Sequence, residues 1–367
     1  MRILAIDMGT GTQDILLFDS EQHIENSVKL ILPSATEIAA RRIRRANAAG
    51  RPLLLTGTVA GGGPCSWALE DFLRNGGRAF ATPEAAQTID DDLERVAALG
   101  VTLLAEDETR TLDADRVELH DLDLEAIRTA LAAFEVSPEF DGFALGCLDH
   151  GAAPPDVSDR IFRFDHLRRI VEARNDLLAF ATSDSGLPAY LTRARALCAS
   201  TNREAPVAFM DTGPAAALGA LHDPKVAAAR GTITMNLGNM HLLAFHLNGR
   251  RIASLFEHHT GEVTAPQIVG FLQDMAAGTL ENAAIFNSKG HGAYHADRSL
   301  VSDSMPACVA ATGPQRAKIA GTPLQPYFAA PFGDMMIGGC FGLLRAYAEV
   351  YPESADAIES RLGPVPG

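Results

Sequence analysis

The architecture of this chain turns on Arg2-Ile-Leu-Ala-Ile-Asp7-Met-Gly9-Thr10-Gly11-Thr12-Gln13-Asp14-Ile-Leu-Leu-Phe-Asp19. An apolar run, Ile3 to Ile6, ends in Asp7. Gly9 to Thr12 form a Gly/Thr turn, and a second apolar run, Ile15 to Phe18, ends in Asp19. Both runs are short and bounded by turn residues, so the pattern predicts strand, glycine turn, strand. Gly9 and Gly11 let backbone N–H groups converge on one point and let a phosphate come close. Thr10 and Thr12 add hydroxyl donors, and Gln13 is counted in the same phosphate site. Asp7 places a carboxylate where a phosphate-bound Mg²⁺ would sit.

Two other readings compete. Gly9-Thr-Gly11-Thr-Gln-Asp14 nearly matches the dinucleotide fingerprint, but that motif needs a helix after the turn and a small residue in its last position. Here Ile-Leu-Leu-Phe follows and Asp14 holds that position, so the fingerprint is rejected. An ordinary tight hairpin with a buried Asp explains the stretch without any ligand.

The chain has 367 residues, a length that suits two domains. Its 47% hydrophobic content can build full cores. A net charge of −15 argues against nucleic acid or anionic membrane as partner, though not against a nucleotide held by local dipoles and Mg²⁺. Five cysteines, Cys65, Cys147, Cys198, Cys308 and Cys340, are scattered and include no CxxC pair. Reduced, mostly buried thiols in a cytoplasmic protein are expected, with no signal peptide and no membrane span.

Further along, a strand runs into Gly61-Gly62-Gly63-Pro64 ahead of a helix, a place to cradle a phosphate or admit a substrate, or else a flexible turn. The acidic run at Asp90–Asp92 reads best as a helix entry, and a hairpin is expected around Asp113. A buried strand from Gly142 ends in Asp149-His150-Gly151, where α/β sheets place ligands. Pro206 opens a new unit, so the domains are expected at 1–205 and 206–367. Asp211 follows a strand and leads a small-residue helix, either as a catalytic base or as a helix cap. Gly231 to Phe245 repeats strand, glycine turn, strand, with Asn236, Gly238 and Asn239 in the turn, which points to internal duplication. Glu257-His258-His259-Thr-Gly261 and Lys289-Gly-His291-Gly invite a metal reading. Adjacent histidines on a strand face opposite ways and no HExxH spacing exists, so contact with substrate or phosphate is preferred for His258, His259 and His291. Thr312-Gly313 ends another strand. Gly338 and Gly339 open a Gly/Ala-rich helix that suits either close nucleotide approach or helix packing.

The opening stretch resembles the first phosphate motif of the superfamily of actin-like, sugar-kinase and heat-shock-protein ATPases, and later segments follow that superfamily's order. Asp149-His150-Gly151 resembles the Gln-x-His-Gly strand end of carbohydrate kinases, with Asp149 a departure. Asp211 resembles their catalytic base. Residues 231–245 resemble the second phosphate motif, with Asn236 in place of an acid and Asn239 in place of Thr. Thr312-Gly313 and Gly338-Gly339 resemble the adenosine side. The resemblance implies an α/β fold of duplicated ribonuclease-H-like (actin-like ATPase) domains around a central cleft. It implies ATP and Mg²⁺, with Asp7 at the metal and Asp211, Asp7 and Asp149 as catalytic carboxylates. Gly62, Gly63, His150, His258, His259 and His291 fall on the substrate side. A kinase acting on a small hydroxyl-bearing substrate is expected. The alternatives are an ATP-hydrolysing regulator of a partner protein and a non-catalytic nucleotide-binding protein; a homodimer is compatible with each. The chain is also identified as a member of a prokaryotic family labelled "putative pyruvate formate-lyase activating enzyme". That label implies a radical enzyme with Cys-x3-Cys-x2-Cys for an iron–sulfur cluster, a run absent from this sequence.

Overall fold

The structure, a computed structural model, describes residues 1–301 and 305–367. The first strand, β1 (Arg2–Met8), lies inside a six-stranded sheet. β2 (Thr12–Asp19) pairs with it antiparallel, and β3 (Val28–Pro33) pairs antiparallel with β2. The glycine turn between β1 and β2 is closed by Gly9 N–H donating to Thr12 O at 2.9 Å.

The chain then leaves this sheet. Helix α1 (Ala35–Ala49) leads to β4 (Leu53–Gly57), helix α2 (Pro64–Arg74), β5 (Ala79–Ala81), β6 (Val101–Leu103) and β7 (Asp115–Leu119). These four strands form a separate parallel sheet in the order β6-β5-β4-β7, with its own core of Ile43, Leu53, Leu55, Leu69, Phe72 and Val117. The hairpin expected around Asp113 does not form. β7 runs parallel to β4, because Val117 and Leu119 are needed beside Leu55 in that core, and Arg51 holds Asp113 and Asp115, each at 2.7 Å.

β8 (Gly142–Cys147) returns to the first sheet, parallel to β1. Helix α3 (Asp159–Ala173), the two-residue β9 (Thr182–Ser183) and helix α4 (Thr192–Ala199) follow, and then β10 (Val207–Met210) pairs parallel with β8. The first sheet therefore extends past the expected boundary at 205/206 and ends only at Met210. Pro206 stops no sheet: its carbonyl accepts from Phe143 N–H at 2.9 Å and leads β10 into register.

Helix α5 (Thr212–Ala220) carries the chain to a second six-stranded sheet of β11 (Thr232–Leu237), β12 (His241–Asn248), β13 (Arg251–His259), β14 (Gly292–His295), β15 (Cys308–Thr312) and β16 (Tyr327–Phe328). Its order is β14-β13-β12-β11-β15-β16, against β3-β2-β1-β8-β10-β9 in the first. In both sheets the leading strand starts a three-strand antiparallel meander and takes a parallel strand on its other side, which is followed by another parallel strand. Five strands of each sheet thus follow the same order and pairing, and the sixth differs: β9 lies beside β10 in the first sheet, β14 beside β13 in the second.

Alternation along β1 explains how the layers join. Leu4, Ile6 and Met8 face a core with Ile127, Leu131 and Leu197, whereas Ile3 and Ala5 face α5 and the long helix α6 (Gly338–Val350). Phe245, Leu247, Ile252 and Leu255 of the second sheet enter that same cluster. α5 and α6 are therefore sandwiched between the sheets. They cross so closely that a Cβ on Gly219 would lie 1.8 Å from Gly338 O, and one on Gly342 would lie 1.9 Å from Ala215 O. Among the described residues no helix is long and apolar enough to cross a membrane.

Candidate functional site

Three parallel strands of the first sheet end side by side, and polar residues follow each apolar run. β1 delivers Asp7, the loop after β8 delivers Asp149 and His150, and β10 delivers Asp211. The turn of β11–β12 comes from the other half of the chain and meets the turn of β1–β2. A Cβ on Gly11 would lie 2.4 Å from Asn239 Nδ2. The two glycine turns therefore converge on one place. Gly238 N–H donates to His241 O at 2.9 Å, the same closure as Gly9 makes to Thr12.

Asp7 is buried, and Thr212 Oγ1 donates to its Oδ1 at 2.7 Å. Gly339 packs so tightly on the other oxygen that a Cβ there would sit 2.2 Å from Asp7 Oδ2. Burial pushes the Asp7 carboxyl up to about 7; Thr212 opposes this, and the neighbouring Asp14 and Asp211 add to it. Asp14 stands directly across the β1–β2 ladder from Asp7, on the same face of the sheet. It too is buried and pushed up to about 7, and its Oδ1 has no hydrogen-bond partner. Two facing buried carboxyls, one with an orphaned oxygen, fit a hard divalent cation, whose charge would favour ionisation of both. Sequence reading missed Asp14 because it treated the residue only as a failed fingerprint position.

The phosphate-turn residues are assembled by their neighbours. Ser34 Oγ donates to Thr10 O at 2.5 Å, and Ser34 N–H donates to Gly11 O at 3.2 Å. Gly63, at φ 65°, brings the triple-glycine segment against Thr10, since a Cβ on it would lie 3.4 Å from Thr10 Cγ2. Thr36 Oγ1 donates to Gly62 O. Thr12 begins β2, and Gln13 Nε2 donates to Pro33 O at 2.9 Å beside a cavity of about 210 Å³. On the facing turn, Thr312 Oγ1 donates to Asn236 Oδ1 at 3.4 Å and Gln315 Nε2 to Asn239 Oδ1 at 3.2 Å. Gly313 has φ 91° and abuts Leu237 O, so only glycine fits there.

Gly338 and Gly339, expected beside adenosine, are buried in the first turn of α6. They serve the crossing with α5 and the contact with Asp7. Asp149, expected among the catalytic carboxylates, spends both oxygens on backbone. Gly151 N–H donates to Oδ1 at 2.8 Å and Ala194 N–H to Oδ2 at 2.9 Å, which fixes the loop that presents His150. Asp211 caps α5 by accepting from Gly213 N–H at 3.0 Å.

The residue that ties this region together is Arg163 on α3, 1% exposed. It donates to Asp211 Oδ2 at 2.6 Å, to Asp149 O at 3.2 Å and to both oxygens of the fully buried Glu257. Burial works against its charge, but Asp211 and Glu257 outweigh it and hold the guanidinium above its ordinary value. Around this pair gather His150, His241, His259 and His291, with ring centroids of neighbouring pairs between 4.4 and 5.8 Å apart. His258 does not join them. It faces the other side of β13, where its nitrogens meet His259 O and Ser288 Oγ and its ring stacks on Phe271. The alternation of a strand separates it from His259. Neither Arg163 nor His241 stood out in the sequence: Arg163 lies within a charged helix, and His241 was passed over in an apolar strand.

Residues 60–318 match the family described as "Putative pyruvate format-lyase activating enzyme (DUF1786)". Among curated proteins nothing matches this chain. One solved structure to which it is similar is the crystal structure of the ROK hexokinase from Thermus thermophilus, at 14% identity over 69% of this chain and 47% of that one, with a TM-score of 0.25. The match spans about half of that hexokinase's length, and a superposition this loose carries no argument about activity. The family match covers well over half of the 367 residues, so this chain belongs to the family so described.

Proposed function

We propose that the protein is an ATP-Mg²⁺-dependent phosphotransferase built from two ribonuclease-H-like halves of the actin-like ATPase type, acting on a small hydroxyl-bearing molecule. The observation that carries this reading is the contact of Gly11 with Asn239, which brings together a glycine turn from each six-stranded sheet, one of them closing the ladder in which Asp7 and Asp14 pair. The division of labour follows the sheets, with the change-over at α5 after Met210.

In this reading Asp7 and Asp14 hold the cation, and the turns at 9–12 and 238–239 hold phosphate through backbone N–H and side-chain donors. Bound Mg²⁺ would offset charge that builds on the transferred phosphoryl group. Asp211 accepts the proton of the acceptor hydroxyl. Arg163 fixes its Oδ2 and the N–H of Gly213 fixes its Oδ1, so the carboxylate is oriented before substrate arrives. Closure of the two halves on the ligand would exclude water. Positioning supplies much of the rate under this scheme.

The activity named in the family's description is not adopted. Its iron–sulfur chemistry calls for clustered thiolates, whereas the five cysteines lie buried in separate elements: α2, β8, α4, β15 and α6. Such buried thiols suit the cytoplasm. A second reading, nucleotide binding without transfer, is favoured by the full engagement of Asp211 and by Asn236 standing where an acid would add to the metal site.

Phosphoryl transfer from ATP to a panel of polyols, sugars and hydroxy acids tests the first reading. Turnover of one acceptor that falls by about 10²-fold or more in Asp211→Asn, with nucleotide binding retained, is expected. ATP binding with no transfer to any acceptor class would leave the second reading in place of the first.

A further inference from the structure

The imidazoles beside Arg163 have no task in the scheme above. His150 leaves the loop after β8, His241 opens β12, and His291 precedes β14. One ring nitrogen from each lies within 4.8 Å of those of the other two. Centroids stand 4.9 Å apart for His150 and His241 and 4.9 Å for His241 and His291. His259 adjoins them, 4.4 Å from His291. Its Nδ1 lies 2.9 Å from Lys289 O and donates there.

The polar groups of this cluster are left open. His291 is 2% exposed, and neither of its ring nitrogens has a partner. His241 Nδ1 is also buried without a hydrogen bond; the Glu257 carboxylate stands 3.7 Å away. An unmade hydrogen bond on a buried group costs about 1–3 kcal/mol. His291 is the one described histidine with both ring nitrogens buried and unbonded, whereas His258 on the other face of β13 has both bonded. Burial, helped by Arg163 and the neighbouring rings, holds His150 down to about 3 and His291 down to about 2, so both are neutral lone-pair donors near pH 7. The charge behind the rings has the sign a cation needs. One guanidinium, Arg163, sits between two carboxylates, Asp211 and Glu257. Glu257 beside His241 Nδ1 is also the arrangement by which a carboxylate orients a metal-bound imidazole and frees its other nitrogen.

We propose that His150, His241 and His291 bind one first-row divalent cation of the Zn²⁺ type, with His259 alongside and a coordination position open to water or to an oxygen of a small ligand. Three imidazoles without a carboxylate among the donors select against Mg²⁺ and Ca²⁺, which take oxygen. Tetrahedral coordination at about 2.0–2.1 Å puts nitrogens roughly 3.3 Å apart. Side-chain rotation closes the remaining gap. The site is distinct from the Asp7–Asp14 pair and does not rest on the nucleotide reading.

The test uses the full chain stripped with a chelator. Zn²⁺ is titrated against a chromophoric competitor, and Co²⁺ is added to a parallel sample to read its visible ligand-field absorption. One equivalent per chain and an intense tetrahedral Co²⁺ spectrum are expected. His150→Ala and His291→Ala should each weaken Zn²⁺ by about 10- to 100-fold or more, and the exposed His23→Ala should leave it unchanged. Metal-free melting curves check folding; if His291→Ala does not fold, the half-buried His150 carries the comparison. Failure of the stripped chain to compete for Zn²⁺, or unchanged affinity in the folded His150 variant, would overturn the assignment.

Discussion

Arg163 illustrates how single side chains govern this molecule. A guanidinium this deeply buried is tolerated only because Asp211 and Glu257 meet it. Arg163→Met should cost about 3–5 kcal/mol in urea unfolding, since it strands two carboxylates; Arg163→Lys should recover part of that, lacking the planar fork. Equal stability of wild type and Arg163→Met would show the pair is not formed. Asp14 gives a second residue-scale prediction. Its folded-state value is raised from the ordinary 3.8 to about 7, so its contribution to stability is full below about 3.8 and is lost as pH rises through about 7. Asp14→Asn should flatten the stability profile between those values and gain on the order of 2–4 kcal/mol at pH 8. Mg²⁺ should stabilise the wild type and not this variant. A profile that is the same in both proteins would remove Asp14 from the site. His166 on α3 and His222 just after α5 act in the opposite sense: burial holds each down to about 4, so their contribution is present above about 6.5 and is lost as pH falls towards 4. Residue-scale chemistry was only partly legible in the sequence. Asp7, Asp211, His150 and His259 stood at ends of apolar runs, where a strand must stop, and His291 stood in a glycine-flanked loop. Arg163, Asp14 and His241 carried no such punctuation, and only the assembled sheets bring them into place.

At the scale of elements, the crossing of α5 and α6 holds the two sheets together. Local sequence could not decide whether Gly338, Gly339 and Gly342 serve a ligand or a helix, because both need a missing side chain. The backbone contact at Gly342 gives that glycine a packing role. Gly342→Ala should lose about 3 kcal/mol or more, since the methyl meets backbone and not a movable side chain. Gly270→Ala, in the helix Ala265–Ala276 with open space around it, should gain about 0.5–1 kcal/mol. Thermal melts of the two variants should therefore move in opposite directions; a neutral Gly342→Ala would mean that the helices stand further apart. The strand-turn-strand units were readable beforehand because glycine turns bracket short apolar runs. The parallel sheet of β4–β7 was not, since β5 and β6 are three residues each and pattern says nothing of pairing partner.

For the molecule as a whole, the repeated strand plan matters more than either half. Each sheet contributes a glycine turn, and neither turn alone encloses anything. Residues 2–19 and 231–245 echo each other in the sequence, and both form strand, glycine turn, strand. The strand after Pro206 joins the first sheet, because a proline before a strand says nothing of which sheet the strand joins. Isothermal titration of the full chain with ATP, with and without Mg²⁺, tests the convergence of the two turns most directly. One equivalent bound with Mg²⁺, a melting temperature that rises with ATP concentration, about 2.7 kcal/mol of stabilisation at 100 times Kd, and weakened binding in both Thr10→Ala and Asn239→Ala are predicted. No heat and no stabilisation at saturating Mg-ATP, or binding insensitive to one of the two turns, would contradict the account.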